Sequence, residues 1–575
     1  MASRISAALP KKCILVLEAG VDAASEPKIN IPGLKGSTLA TTYDWNLTTV
    51  PQANANNRVW GQARGRVLGG SSALNLMTWD RASTYEYNAW EKTLGNGGWN
   101  WKAFIAAMLK VETFYPSSNY GTTGVGKTGP IQTLINRFVP KQQDSWIPTM
   151  NNLGVASNLE SLGGNPLGVM FQPSNIRNTD YTRSYSAHNA GYPSIAKSNL
   201  LIKTSVRVAK INFATVAGKL SATGVTLTDG TTFKASAEVI ISAGALQSPQ
   251  LLEVSGIGAK SVLAAAGIPT LYNLPGVGEN LQDHIRIQSS YQLLSNYTSY
   301  DILKYNTTYA TEQLDLYNQN KTSMYDYTGS GYSFMTWKQA LGNDSTLQAL
   351  AKTAAAKNLT TSPFEPIRAK LLLDYLSSED KGVPQVEVIF SDGYTGVKGY
   401  PAVGSPLRGI GTFSLIASIQ HPFSVGSVHV TSPNVSVNPL INPNYFAQEY
   451  DLQATIFTAK YLRKIANTYP LKSTWSTEYE PGLEAVGNGN DAATEAQWKN
   501  YVLNNSLTIF HPAGTCAMIP EAQNGVVSSD LRVYGTSNLR VVDASIIPVL
   551  MSAHIQTAVY GIAEIAADKI IAKWK

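Results

Sequence analysis

Cysteine is nearly absent: the chain has two, Cys13 and Cys516. Two cannot build a disulfide scaffold, and no further ligands are spaced around His511 and Cys516, so no metal site is expected. Long apolar runs are missing too. Nowhere do about 18 or more apolar residues follow one another, which excludes a membrane-spanning helix. Charge is sparse, at 15% of residues with a net +6 and no dense Lys/Arg block, so neither a nucleic acid nor a membrane is expected as a partner. No Gly-x-Ser-x-Gly occurs, which argues against an α/β-hydrolase. Met1–Pro10 has no apolar signal core. No strand with a Gly-x-Gly-x-x-Gly turn opens the chain either.

What is present describes a folded protein of at least two domains. The 575 residues are too many for one ordinary core, and 43% are hydrophobic. The 46 glycines and 28 prolines imply many turns and close backbone approaches. Ala2–Ala8 reads as the tail of a helix. Lys12–Gly20 reads as a short buried parallel strand ending in the acid Glu18, with Cys13 in the core. Strands are also expected over Leu200–Val208, leading into a hairpin, and over Ala237–Ala245, Gln385–Phe390, Phe413–Ile419 and Ser427–Val430. Leu246–Val254, Glu449–Ile465 and Gln556–Ile571 read as helices, the last two amphipathic. Ser295–Thr361 is polar and rich in tyrosine, and is expected to be an exposed region.

Glycosylation sequons begin at Asn46, Asn296, Asn306, Asn320, Asn343, Asn358, Asn434 and Asn504. Their clustering favours a surface in the secretory route. The chain has six histidines. His511 sits in Thr508-Ile509-Phe510-His511-Pro512-Ala513-Gly514-Thr515, where a constrained backbone would hold it. Its neutral ring can take a proton near pH 7, as a general base for an alcohol must. A buried structural histidine is the alternative for His511 taken alone. Gly61–Met77, dense in small residues, has free backbone N–H groups that can wrap a phosphate or a flavin edge.

Taken in order, the motifs resemble those of the glucose–methanol–choline (GMC) oxidoreductases, an FAD-dependent family. Gly69-Gly70-Ser71-Ser72-Ala73-Leu74-Asn75 resembles the first signature, and Gly244–Gly258 the second. Asn273–His284, His421–Val428, the His511 stretch and Asn538–Ser545 are similar to further family segments. The resemblance implies an α/β fold, α+β overall. A Rossmann-like FAD-binding domain would join a substrate domain whose antiparallel sheet is flanked by helices. Residues 1–290 would be mostly the first, with substrate-domain excursions around 85–195. Residues 291–500 would be mostly the second, and 501–575 would return to the FAD-binding domain.

The resemblance also implies roles. His511 would be the base and His554 its partner in oxidising an alcohol to an aldehyde or ketone. Hydride would go to flavin N5, and the electrons then to O2 or another acceptor. Glu18 would meet the adenosine ribose and the Val206 backbone the adenine. Arg66, Gly69, Gly70, Ser71, Asn75, Leu76, Met77, Asp543 and Ala544 would complete the FAD site, and Phe510 would face an aromatic or apolar alcohol. Leu74 stands where some family members carry a histidine bonded to the flavin, so FAD is expected to be held non-covalently. His284 and His421 are expected to be structural, while His188 and His429 receive no role.

The departure is at the start, where the family has a central strand and a phosphate-cradling turn. Such a strand buries about five apolar residues at roughly 1.5–3 kcal/mol each. The chain as written is therefore expected to fold poorly or hold FAD weakly. A longer gene product, with the strand and a signal peptide, would be secreted or enter the secretory pathway. A non-redox lyase or cyclase, or an FAD-free binding protein, are the alternatives on the same fold.

Overall fold

The computed structural model describes residues 1–116, 120–187, 192–329, 331–357, 361–377 and 381–575, with backbone alone at Pro193 and Ser194. His188 and Asn358 lie outside the described residues. In chain order, the elements that position the site are helix α1 (Ala2–Ala8), strand β1 (Ile14–Leu17), and helices α2 (Thr84–Lys92) and α3 (Trp101–Val111). Then come β2 (Gly168–Phe171), β3 (Leu200–Lys203), β4 (Val208–Val216), β5 (Lys219–Leu227), β6 (Val239–Ile241) and helix α4 (Ser248–Val254). After these follow β7 (Ile285–Leu293), β8 (Gly331–Met335), β9 (Val386–Asp392), β10 (Thr412–Ile419), β11 (Ser427–His429) and helix α5 (Glu449–Ala466). The chain closes with β12 (Trp475–Glu480), β13 (Leu507–Thr508), β14 (Leu539–Val541) and helix α6 (Gln556–Trp574).

A seven-stranded antiparallel sheet runs β12-β7-β10-β9-β8-β2, with β13 also paired to β7. Alternation along its strands sorts the side chains to two faces. One face, with Val388, Phe390, Leu415, Ala417 and Ile287, joins the largest core, together with α5. The other carries cross-strand rows. Met170, Tyr332, Ile389, Ile416 and Gln288 stand opposite one another. In the next row stand Phe334, Glu387, Ser418 and Arg286. The apolar members of this second face form a separate cluster with Ala553 and Ile509, so the sheet presents an apolar wall to the segments that carry His511 and His554.

The parallel strands are thinner. β1 pairs with β3, and β6 with β14, each as a two-stranded ribbon. The four residues of β1, Ile14, Leu15, Val16 and Leu17, are all half-buried, although an all-apolar parallel strand reads as fully covered. Among the described residues β1 has no strand on its other side. A hairpin of β4 and β5 follows β3, as the sequence indicates.

Three expectations need correcting. Cys13 is exposed, because β1 begins only at Ile14 and leaves it in the preceding turn. Ser295–Thr361 is not a uniformly exposed region: β8 is buried throughout, with Tyr327 and Trp337, since β8 is an inner strand of the large sheet. Helix α6 is more than amphipathic. It buries Thr557, Tyr560, Gly561, Ile562, Glu564 and Ala567, because it lies against both α3 and α1. No helix among the described residues is long and apolar enough to cross a membrane.

Candidate active site

Strand register brings the site together. Ile285 pairs with Thr508 and Arg286 with Leu507, so the chain just before β7 meets the chain just after β13. The Ile509 N–H donates to the His284 carbonyl. Three residues past the pairing, His511 meets His284, Nδ1 to Nδ1 at 2.9 Å. Both histidines expected to act on the substrate follow residues of left-handed backbone: Phe510 at φ 65° and Ala553 at φ 66°. Non-glycine residues pay for that conformation in strain, which clusters at functional sites. Here it is held in place by hydrogen bonds. Arg64 Nη2 donates to the Phe510 carbonyl at 2.6 Å, and the Ala553 N–H donates to Gln420 Oε1 at 2.6 Å.

The rings of His511 and His554 stand 5.0 Å apart, nearly perpendicular at 79°. Their environments separate their charges. Burial, then His554, His284 and Arg64, holds His511 well below the ordinary histidine range, so it is neutral. Its backbone N–H donates to Asp283 Oδ1 at 2.9 Å. The other carboxylate oxygen of Asp283 accepts from Tyr445 and Thr508, which ties the segment down. Burial also opposes a charge on His554, but Asp80 and Glu387 outweigh it and raise the ring to about 9. His554 Nδ1 lies 2.8 Å from Asp80 Oδ2 and 3.4 Å from Glu387 Oε1, and its N–H also donates to Asp80. Ligand atoms of these three side chains lie within 4.8 Å of one another. A neutral and a charged histidine side by side are the pattern of a proton acceptor and an oxyanion stabiliser.

The remaining expected residues fall into two groups. At one end, the Val206 N–H donates to the Glu18 carbonyl, and Glu18 Oε1 accepts from the Gly20 N–H at 2.7 Å. Arg66 lies 5.1 Å over the Trp45 ring, with Arg207 4.8 Å from the same ring. At the other end, Gly69, Gly70 and Ser71 form a short turn, and Asn75 bonds Gln556, Arg183 and the Met77 N–H. Met77 is buried, whereas Leu76 is 49% exposed. The Asp543 carboxylate accepts from the Gly244 N–H, Ser248, the Ser545 N–H and the Ser545 hydroxyl. It joins the second signature to the last, with Ala544 next to it. Phe510, half-buried, adjoins His511.

Residues that sequence reasoning missed as parts of the site are Arg64, Asp80, Asp283, Glu387 and Gln420. Their contacts span long sequence separations, such as 474 positions between Asp80 and His554. The only signal was adjacency: Asp283 and His284 close one motif, and Gln420 precedes another.

These residues match a known family along most of the chain. Residues 15–286 and 422–563 fit the N- and C-terminal GMC oxidoreductase profiles. The GMC oxidoreductase family protein Mala s 12 of Malassezia sympodialis is 34% identical, over 97% of this chain and 88% of that protein. The chain belongs to the GMC oxidoreductase family. As a GMC oxidoreductase it is an oxidoreductase of the FAD-dependent kind. Patulin synthase of Aspergillus clavatus is 32% identical, over 91% of this chain and 81% of that protein. An FAD-dependent oxidoreductase from Chaetomium thermophilum superposes with a TM-score of 0.86 at 27% identity, over 99% of this chain and 97% of that one. A fungal aryl-alcohol oxidase superposes at 0.83 and 26%, over 100% and 97%.

The residues present fit FAD at both ends. Gly70, at φ 55°, faces open space, and Leu76 and Val21 leave apolar surface uncovered. The Glu18 carboxylate, which accepts from the Gly20 N–H through Oε1, suits a ribose hydroxyl.

Proposed function

We propose that this GMC oxidoreductase oxidises a primary or secondary alcohol bearing an apolar or aromatic group, using non-covalently held FAD. The observation that carries the reading is the His511–His554 pair, 5.0 Å apart, one ring neutral and the other charged. When bound, FAD supplies the acceptor for the carbon-bound hydrogen. His511 takes the hydroxyl proton, because its neutral ring is available over the whole physiological range. His554, held charged by Asp80 and Glu387, steadies the oxygen as its proton leaves. The wall of Tyr332, Phe334, Ile389 and Ile416 excludes water and packs the hydrocarbon part of the substrate. Glu18, Arg66, Val206, the 69–77 turn and the segment at Asp543 and Ala544 would hold FAD. The aryl alcohol named for the fungal oxidase to which the chain is similar agrees with an apolar alcohol.

Leu74 is buried and carries no nucleophile, which supports non-covalent binding. Acid precipitation should release all the flavin. Seven of the eight sequon asparagines lie in described residues, and all seven are exposed, which supports a route through the secretory pathway. The deciding experiment is a panel of alcohols mixed anaerobically with the flavin-loaded protein. Bleaching of the band at about 450 nm by aryl or alkyl alcohols is expected. Flavin that binds but is reduced by no alcohol would overturn the reading.

A further inference from the structure

The His284 ring is fully buried, between His511 and the backbone of Gln420. Its Nε2 lies 2.9 Å from the Gln420 carbonyl oxygen. A carbonyl can only accept, so this nitrogen carries a proton. Burial first, and then His421 and His554, push His284 down to about 3 against the pull of the Gln420 and Met551 carbonyls, so the ring holds one proton only. Its Nδ1 is therefore a lone pair, 2.9 Å from His511 Nδ1. Two lone pairs cannot face each other at that distance, so His511 Nδ1 carries the proton and donates it. His511 is neutral as well, which leaves its Nε2 bare. No protein partner meets that nitrogen among the described residues. The groups facing His511 are His284, His554, Arg64 and, through its backbone N–H, Asp283.

We infer that His284 is a positioning residue that locks His511 in the tautomer whose Nε2 accepts the substrate proton. The direction of the relay is set by the carbonyl of Gln420, whose side chain also holds Ala553 and Glu387 on the other histidine's side. The inference rests on the reading of His511 as the base. A histidine held in the wrong tautomer loses about 10⁴ in kcat in the serine-protease triad, so the lock is worth measuring.

The test compares three variants loaded with FAD. His284→Asn can place an amide oxygen where Nδ1 stood and keeps the acceptor. His284→Gln reaches the Gln420 carbonyl but offers His511 no acceptor, and His284→Leu does neither. We expect kcat to fall by about 10²-fold or more in the Gln and Leu variants with KM little changed, and the Asn variant to stay within about tenfold of the parent. Nitrogen-15 spectra of labelled histidine should show His511 protonated at Nδ1 in the parent and in His284→Asn, and a mixture of tautomers in His284→Gln. Should the Leu variant fail to fold, the Asn and Gln pair still decides. A parent protein with the His511 proton on Nε2, or Asn and Gln variants of equal kcat, overturns the inference. An active His511→Ala variant beside the expected spectra would overturn the base assignment instead and leave the tautomer lock standing.

Discussion

At the scale of single residues, the site depends on two histidines kept in opposite charge states a few ångströms apart. Replacing His511 by alanine should lower kcat by roughly 10² to 10⁴ with flavin content unchanged, whereas turnover within about threefold of the parent would refute its role as the base. The pH profile should follow the same division. Because His511 is held well below 6.5, activity should persist into acid, where Glu387, raised by burial to about 7, takes up a proton and leaves Asp80 to hold His554; because His554 is raised to about 9, activity should decline as pH rises through that value. Asp80→Asn removes one of the two carboxylates that raise His554, so the alkaline limb should move toward neutrality while the acid limb stays. A limb unmoved in that variant would dissociate His554 from it. The two histidines were legible in the sequence because each sits in a long ordered motif. Asp80 and Glu387 were not, since a carboxylate on one strand or loop looks the same whether it faces solvent or an imidazole brought from hundreds of residues away.

At the scale of elements, the first turn of α2 reaches into the site. Ser83 and Glu86 form a capping box, and Glu86 also accepts from His421 and from the N–H and hydroxyl of Ser552, two residues before His554. Burial works to raise this carboxyl, but its hydrogen bonds from His421 and Ser552 outweigh it and hold it below the usual range. Its contribution to stability is therefore present above about pH 4.5 and lost as pH falls through the lower folded value. Glu86→Ala strands a buried histidine and several donors, and should destabilise by about 3–5 kcal/mol, seen as a lower Tm and a reduced kcat. Glu86→Gln keeps one acceptor oxygen and should recover part of both. An unchanged Tm in the alanine variant would show that water replaces the carboxylate. Strand and helix positions were legible from periodicity at this scale, including β9, β10 and α5. The pairing of β13 with β7, which creates the His284–His511 contact, was not, because register is set by the folded sheet.

At the scale of the molecule, the chain closes on itself through His429. It lies between Glu253 on α4, at 2.7 Å, and Glu279, at 3.1 Å. Burial raises Glu253 above the ordinary carboxylate range even with His429 beside it, so the junction draws on the second carboxylate too. Burial opposes the charge on His429, and the two acids still raise it from 6.5 to about 9. The stability it lends is full below about pH 6.5 and disappears as pH rises through about 9. Thermal melts should show Tm declining across that window, and His429→Asn should flatten the decline. A parent Tm that holds constant across the window would refute the linkage.

The narrow ribbon of β1 and β3, with its half-covered apolar strand, has a thermodynamic corollary. Where, among the described residues, the sheet is left two strands wide, FAD held as proposed between Glu18 and the glycine turn would contribute cohesion that a broader sheet would supply by itself. Occupancy and folding then share one equilibrium. Tm should climb with free FAD, by about 1.4 kcal/mol of stabilisation per tenfold concentration once the site is saturated. Dialysis of the flavin should loosen amide exchange in the ribbon well before the seven-stranded sheet responds.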